Sequence, residues 1–325
     1  MLHLLMFAIV ALSPQTKTTP AQQQSRTDTN VIAIQVALDR AGFSSGAIDG
    51  RMGANTRRAL DAYRSANGGD PAPASDPLVE YRITAEDAAG PFVGQIPQDL
   101  MAQSELPALG YRSVVEAIAE RFHTTPEALK LMNATATFAA DEAILVPNVE
   151  PMALPKNPPK NSITDGSQPR ATGTSGRKGP QQPASSAADQ VVVRVSRSSS
   201  SLSVAGADGK IVFFAPVTTG SERDPLPIGE WKVNGVQFNP SFRYNPDLFW
   251  DADPAHTKAT IPPGPNGPVG LVWIDISKEH YGLHGTPEPS QIGRTQSHGC
   301  VRLTNWDALR LASLVRPGTQ VLFTE

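Results

Sequence analysis

The sequence predicts a multidomain protein, with small α-helical modules first and a mostly antiparallel β domain carrying one or two short helices last. Three observations predict it. Apolar residues recur at helical spacing ahead of residue 150, a Pro-, Ser- and Gly-rich stretch fills Glu150 to Asp189, and β-branched runs punctuated by turn signals begin at Val191. A length of 325 residues suits two or three domains.

The N-terminal segment comes first. Leu2 to Leu12 is apolar except for His3, and a polar Gln/Thr-rich stretch follows at once. The run is too short to cross a bilayer, which takes roughly 20 residues, but it suits the apolar part of an export signal. It has no Lys/Arg ahead of it and no clear small-x-small cleavage site, so residues 1–25 read as a signal peptide or as an anchor kept at the inner membrane. A buried N-terminal helix or strand is the alternative.

Residues 30–70 form a helical unit. Val31, Ile34, Leu38 and Ala41 share one helical face, Gly42 stops the helix, a glycine-punctuated turn runs from Gly46 to Gly53, and Ala59, Leu60 and Tyr63 line a second helix. Residues 105–150 form another. Ser113 and Glu116 make a capping box ahead of Val115, Ile118, Ala119 and Phe122. Thr125-Pro126 opens a second helix that ends near Asn133, and Ala143 to Pro147 reads as a strand. Residues 151–189 carry almost no large apolar side chain, cannot offset the entropy of ordering, and read as a flexible linker letting the modules and the last domain move independently. In residues 190–325, Leu202 to Ala205 and Ile211 to Val217 flank the hairpin signal Gly206-Ala207-Asp208-Gly209. Strands follow at Gly229–Val233 and Gly270–Ile274, then a helix at Trp306–Val315 and a closing strand at Gln320–Phe323. No helix–strand alternation appears, which argues against a doubly wound parallel sheet.

A net charge of −3 with 18% charged residues gives no basic surface for nucleic acid. The single cysteine, Cys300, is more telling. In an exported chain it has no partner for an internal disulfide. It is then a reactive thiol, an intermolecular bridge, or a buried inert side chain. Its surroundings favour reactivity. His284-Gly285-Thr286 lies sixteen positions upstream, Ser297-His298-Gly299 immediately precedes it, and the stretch between is turn-rich. A neighbouring histidine or another positive field lowers a thiol's pKa and holds the thiolate. Amides around Gly299 and Cys300 suit a developing oxyanion.

These motifs carry a resemblance. His-Gly-Thr, then Pro-x-x-Ile-Gly, then Ser-His-Gly-Cys-Val-Arg-Leu resembles the active-site segment of L,D-transpeptidases with the YkuD-type catalytic domain, and Pro225 to Trp231 resembles that family's strand entry. The resemblance covers roughly Val191 to Thr324 and implies a β-sandwich. It implies that Cys300 is the nucleophile, His284 the general base and acid, and the Gly285 carbonyl the group that orients the imidazole. Ser297, His298, Gly299 and Arg302 would line the substrate site, with Arg302 pairing a carboxylate of the peptidoglycan stem. The implied reaction attacks diaminopimelate in a tetrapeptide stem, releases D-Ala and passes the acyl group to an amine of a second stem, a 3→3 cross-link. Water or a protein amine as acceptor gives a carboxypeptidase or wall attachment. No metal or cofactor is required. Residues 30–70, with Gln-x-x-Leu, Gly-x-x-Asp-Gly-x-x-Gly and Thr-x-x-Ala, resemble the peptidoglycan-binding module of wall hydrolases. Residues 105–150 resemble a degenerate LysM module. The implied partner is peptidoglycan and the implied location the periplasm.

Other readings compete. A zinc site would draw on His280, His284, His298 and Cys300, but Gly282, Gly285 and Pro287 break any helical His face. Trp231, Trp250 and Trp273 read as core, and His123 and His256 as solvated. The Asn-, Pro- and Asp-rich stretch from 239 to 270 reads as an ordered loop walling a binding site. A wall-binding protein without catalysis is the alternative of another class.

Overall fold

The computed structural model describes residues 27–156 and 191–325. The signal or anchor segment at 1–25 and nearly all of the 151–189 linker lie outside them.

The first unit pairs α1 (Thr29–Arg40) with α2 (Ala54–Asn67). Asp28 caps α1 by accepting from the Asn30 amide, and Gly68 ends α2 in the left-handed region at φ +78°. The polar residues of the motif are consumed inside this unit. The Gln35 amide donates to Asp49 Oδ1 at 3.0 Å and to Thr56 Oγ1 at 3.1 Å, and its oxygen accepts from the Asp49 and Gly50 amides. That one buried side chain therefore fixes the Asp49-Gly50 turn. The buried face of α1 differs from the predicted one. Ile32, Val36 and Leu38 are sealed while Ala41 is exposed, because α1 is covered on two sides. Ile32 and Val36 pack with Ile48 and Val149, and Leu38 packs with Phe43, Ala59 and Phe214.

The second unit opens with β1 (Leu78–Arg82), a strand that sequence reading did not place. Short helices α3 (Ala85–Ala89) and α4 (Leu100–Ser104) follow, then α5 (Val114–Arg121), α6 (Pro126–Met132) and β2 (Ala143–Pro147), which pairs antiparallel with β1. Ile83, Ile118, Phe122, Leu129 and Ile144 make its core. Half of the expected capping box forms. The Glu116 amide donates to Ser113 Oγ, but the Glu116 carboxylate accepts from the amide and guanidinium of Arg112 instead. Asn133 closes α6 and clamps β2 through both polar atoms of its amide.

The third unit holds β3 (Val192–Ser196), β4 (Ser201–Ala205), β5 (Ile211–Pro216), β6 (Gly229–Phe238), β7 (Phe242–Tyr244), β8 (Ala259–Ile261), β9 (Val272–Ile276), β10 (Gly282–His284), β11 (Val301–Arg302), α7 (Asn305–Leu314) and β12 (Gln320–Thr324). Eight strands make one sheet in the order β11-β10-β9-β6-β12-β3-β4-β5, while β7 and β8 form a separate hairpin. The pairs β12–β3 and β10–β11 are parallel and the rest of the sheet is antiparallel. The expected sandwich is a single sheet curled on itself. Its ten-residue strand β6 pairs with β12 through its first half and with β9 through its second, and a register shift between Val233 and Gly235 separates the halves. Val193, Leu202, Phe213, Ile274, Leu283 and Phe323 fill the interior, closed by Ala308 and Leu311 of α7.

The three units are docked rather than strung on a linker. Residues 42–44 add to the free edge of β5, with the Ser44 amide donating to the Phe214 carbonyl and the Phe214 amide to Gly42, each at 2.8 Å. Ser44 Oγ donates to buried Asp307 at 3.0 Å. The Leu109 amide donates to Pro263, and the Asn266 amide to Leu109. His123, expected in solvent, stacks on Trp306 at 5.4 Å and bonds Asp39 at 3.0 Å. Separating the units would strand these buried polar groups. Independent motion of the modules is thereby replaced by a fixed arrangement.

Burial at this seam pushes the carboxyls of Glu120 and Asp307 up to about 7. Both values stand above those of the unfolded chain. The stabilisation they confer is therefore complete below pH 4 and is lost as pH rises through 7. Differential scanning calorimetry should show the melting temperature falling by about 5 °C or more between pH 5 and pH 8. Asp307→Asn should flatten that fall, and an unchanged slope would refute the assignment.

Candidate functional site

β10 and β11 run side by side in parallel, with Leu283 opposite Val301 and His284 opposite Arg302. Side chains alternate along a strand, and in-register parallel partners share a face. Leu283 and Val301 therefore enter the core, where both are sealed. Cys300, Arg302, Gly282 and His284 share the opposite face, which walls a cavity of about 1370 Å³. Phe242, Tyr244 and Phe249 of the 239–270 segment also line the cavity.

His284 is buried, and its Nδ1–H donates to the Gly285 carbonyl at 2.7 Å. That bond leaves Nε2 as the basic nitrogen. Burial drives the imidazole pKa down to about 3, and Arg302 adds to the fall. Trp273 stacks on the ring with centroids 5.6 Å apart, and Gly282 is required beneath the indole because a Cβ there would sit 2.5 Å from it. Behind the loop, the Asn305 carboxamide presses on the backbones of Gly270 and Gly285, where a Cβ at either would collide with Oδ1.

Cys300 is half-buried and directs its thiol at the His280 carbonyl, 3.8 Å away. Burial pushes the thiol pKa up from its ordinary value, against the Gly282 amide and Arg302, which favour the thiolate. The expectation that neighbouring positive charge holds a preformed thiolate is thus corrected: desolvation outweighs it, and the resting pair is neutral thiol and neutral imidazole.

The other predicted residues divide. Arg302 lines the cavity, its pKa lowered by burial and raised by Cys300 and Glu288. Its backbone is fixed by reciprocal bonds with Thr218. His298 also lines the cavity, half-exposed, with Nε2 at 2.8 Å from Asp251 and its ring edge-on to Phe249. Ser297 is sealed and donates its hydroxyl to the Cys300 carbonyl at 2.6 Å, so its side chain shapes the turn. Gly299 holds φ at +99°, with Tyr281 where a side chain would be. Among the described residues, no three His, Cys, Asp or Glu side chains are grouped as metal ligands would be. His280 leans on Glu279, His298 on Asp251, and His284 on Gly285.

Sequence reasoning missed Trp273, Asp251, Asn305 and Tyr281 as members of this site. Trp250, read as core, is exposed at 51%, with the Arg223 guanidinium 4.1 Å above its ring and Asp224 on its Nε1. His256, read as solvated, is held between Tyr244 and Asp99. Asn305 carried one legible signal, the Thr304 cap beside it.

Two family models match the chain. Residues 190–322 match the L,D-transpeptidase catalytic domain, and residues 27–71 match a "Putative peptidoglycan binding domain". The C-terminal domain belongs to the L,D-transpeptidase catalytic family. Similar curated proteins include "Putative L,D-transpeptidase YkuD" of Bacillus licheniformis, 53% identical over 19% of this chain and 38% of its own length. "Putative L,D-transpeptidase YqjB" of Bacillus subtilis is 31% identical over 36% of this chain and 62% of its own length. "Probable L,D-transpeptidase YbiS" of Escherichia coli is 33% identical over 35% and 38%. The chain thus spans less than two thirds of the length of these relatives. Among solved structures, L,D-transpeptidase 3 of Mycobacterium tuberculosis is 20% identical over 42% of this chain and 61% of its own, with a TM-score of 0.35.

Two outcomes follow from the geometry. The alkylation rate of Cys300 with iodoacetamide should climb about tenfold per pH unit from 6 to 8 without levelling, because burial holds the thiol pKa above its ordinary value. A plateau below pH 8 would show a preformed ion pair instead. Gly285→Ala should lower stability by about 2 kcal/mol in urea unfolding, because its Cβ drives into Asn305, and an unchanged midpoint would refute the contact.

Proposed function

We propose that this protein is a cell-wall L,D-transpeptidase whose nucleophile is Cys300 and whose proton carrier is His284. The observation carrying the reading is the parallel β10–β11 register, which brings thiol, imidazole and guanidinium to one wall of the cavity. As the Cys300 sulfur attacks the carbonyl of the L-centre of diaminopimelate, its proton passes to His284 Nε2 and an S–C bond forms. The C–N bond to the terminal D-Ala breaks, and His284 returns the proton to the departing amine. An amine of a second stem then gives a proton to His284 and attacks the thioester, and the sulfur leaves and regains its proton. The Gly285 carbonyl keeps the imidazole in the required tautomer. With a pKa of about 3, the imidazole takes the proton only during attack, so proton transfer and bond formation are concerted.

Arg302 is suited to a stem carboxylate, while His298, Ser297 and Gly299 shape the entry to the nucleophile. Asp224, Asp251, Asp253 and Glu288 on the cavity wall are set against Arg243, Lys258 and Arg302, and the proposed acceptor is the neutral amine of a second stem, which gives a 3→3 cross-link. The peptidoglycan-binding model over 27–71 supports wall polymer as partner, and the α5–α6 pair followed by β2, which returns to pair with β1, is the part of the second unit that supports its LysM-like reading. The proposed location is the cell envelope, and within it the periplasm.

Intact-protein mass after brief exposure to a disaccharide-tetrapeptide tests this. The expected result is an adduct equal to the substrate less D-Ala, absent in Cys300→Ala. Turnover persisting in that variant, or no adduct with wall binding intact, would overturn it.

A further inference from the structure

The active-site loop is braced by a residue from outside the catalytic domain. Glu120, in the last turn of α5, is sealed at the seam and accepts from Asn305 Nδ2 at 2.5 Å. Asn305 Nδ2 also donates to the Pro265 carbonyl at 3.1 Å, and its Oδ1 accepts from the Leu271 amide at 2.9 Å. With two acceptors on one side and an amide on the other, the carboxamide has one orientation. That orientation presses Oδ1 against Gly285, whose carbonyl orients His284. Tyr111 hydrogen-bonds the Glu120 carboxylate, so the acceptor is itself held from the module side.

The geometry points to Glu120 as a positioning residue for the His284–Gly285 pair, acting through Asn305, so that the second unit completes the catalytic centre. This rests on the cysteine mechanism above. Glu120 touches no reacting atom. It sets the angle at which the Gly285 carbonyl meets His284 Nδ1–H, and through it the aim of Nε2. A second module residue reaches the same loop further on: Asn55 of α2 donates to the Ile292 carbonyl at 2.9 Å.

The test uses the full chain with three substitutions. Glu120→Met has similar volume and no acceptor, Glu120→Asp keeps the charge but draws the acceptor back, and Glu120→Gln keeps an acceptor at full reach. Acylation by the disaccharide-tetrapeptide should fall tenfold or more in kcat for the Met and Asp variants with KM unchanged, and Gln should restore it. The His284 Nδ1–H resonance, followed by NMR, should exchange with water faster in the Met and Asp variants and stay protected in Gln. Iodoacetamide alkylation of Cys300 should be unchanged in all three. If Met does not fold, the Asp–Gln contrast decides. Wild-type acylation and wild-type proton exchange in a folded Met or Asp variant would overturn the proposal, as would a loss shared equally by Gln. A wild-type chain that forms no adduct would sink the proposed reaction, while the exchange readout would still report on the brace.

Discussion

The arrangement of the candidate site depends on one short parallel strand pair. β10 and β11 contribute three and two residues, yet their register decides which side chains share a face. A slip of one residue would bury Arg302 in the core and turn Val301 toward the cavity. Register is held on both flanks. β9 pairs antiparallel with β10, and Thr218 exchanges two backbone bonds with Arg302. The hydrophobic partners Leu283 and Val301 are completely covered, so the alternating pattern gives the pair one low-energy alignment.

Burial then sets the electrostatics. The same desolvation that lowers the His284 pKa raises that of the thiol, so both groups rest uncharged. An ion pair here would be costly to keep out of water before substrate arrives. A neutral pair avoids that cost and, under the proposed mechanism, confines charge separation to the moment of attack, when the Gly282 amide and Arg302 stand beside the sulfur. The indole of Trp273 keeps one side of the imidazole dry, and the glycine at 282 is what lets it approach.

Much of this was legible in the sequence, and the reasons differ by element. The β4–β5 hairpin followed from a glycine-bracketed turn between apolar runs, and α7 from its periodicity, because both are local patterns. The histidine–cysteine association was readable because the motifs are dense in glycine and lie close in the chain. β1 was not readable: its partner is more than sixty residues away, and its burial pattern lacks clean alternation. The buried set of α1 was misplaced because a helix covered on two sides shows no single apolar stripe. His123 and His256 looked like solvent-facing residues because Asp39 and Trp306 reach the first, and Asp99 the second, from distant segments. Glu120 reads as an ordinary charged position of an amphipathic helix, and nothing local marks it as buried.

The two N-terminal units therefore do more than sit beside the C-terminal domain. A tethered binding module would meet the catalytic domain through an exposed, exchangeable surface. Here the seam instead buries two carboxyls whose pKa values reach about 7, completes the edge of β5 with residues 42–44, and fixes an asparagine behind the catalytic loop. Sealing carboxyl groups away from water is costly, and the cost is met only when each finds its partners. Glu120 finds them in Tyr111 and Asn305, and Asp307 in Ser44 and Thr304. Each set spans two units, so neither unit satisfies its own carboxyl alone. This reciprocal dependence makes the orientation of the modules a property of the folded protein. A wall strand held by residues 27–71 would then meet the cavity at a fixed angle, and docking rather than linker length would set the reach of Cys300.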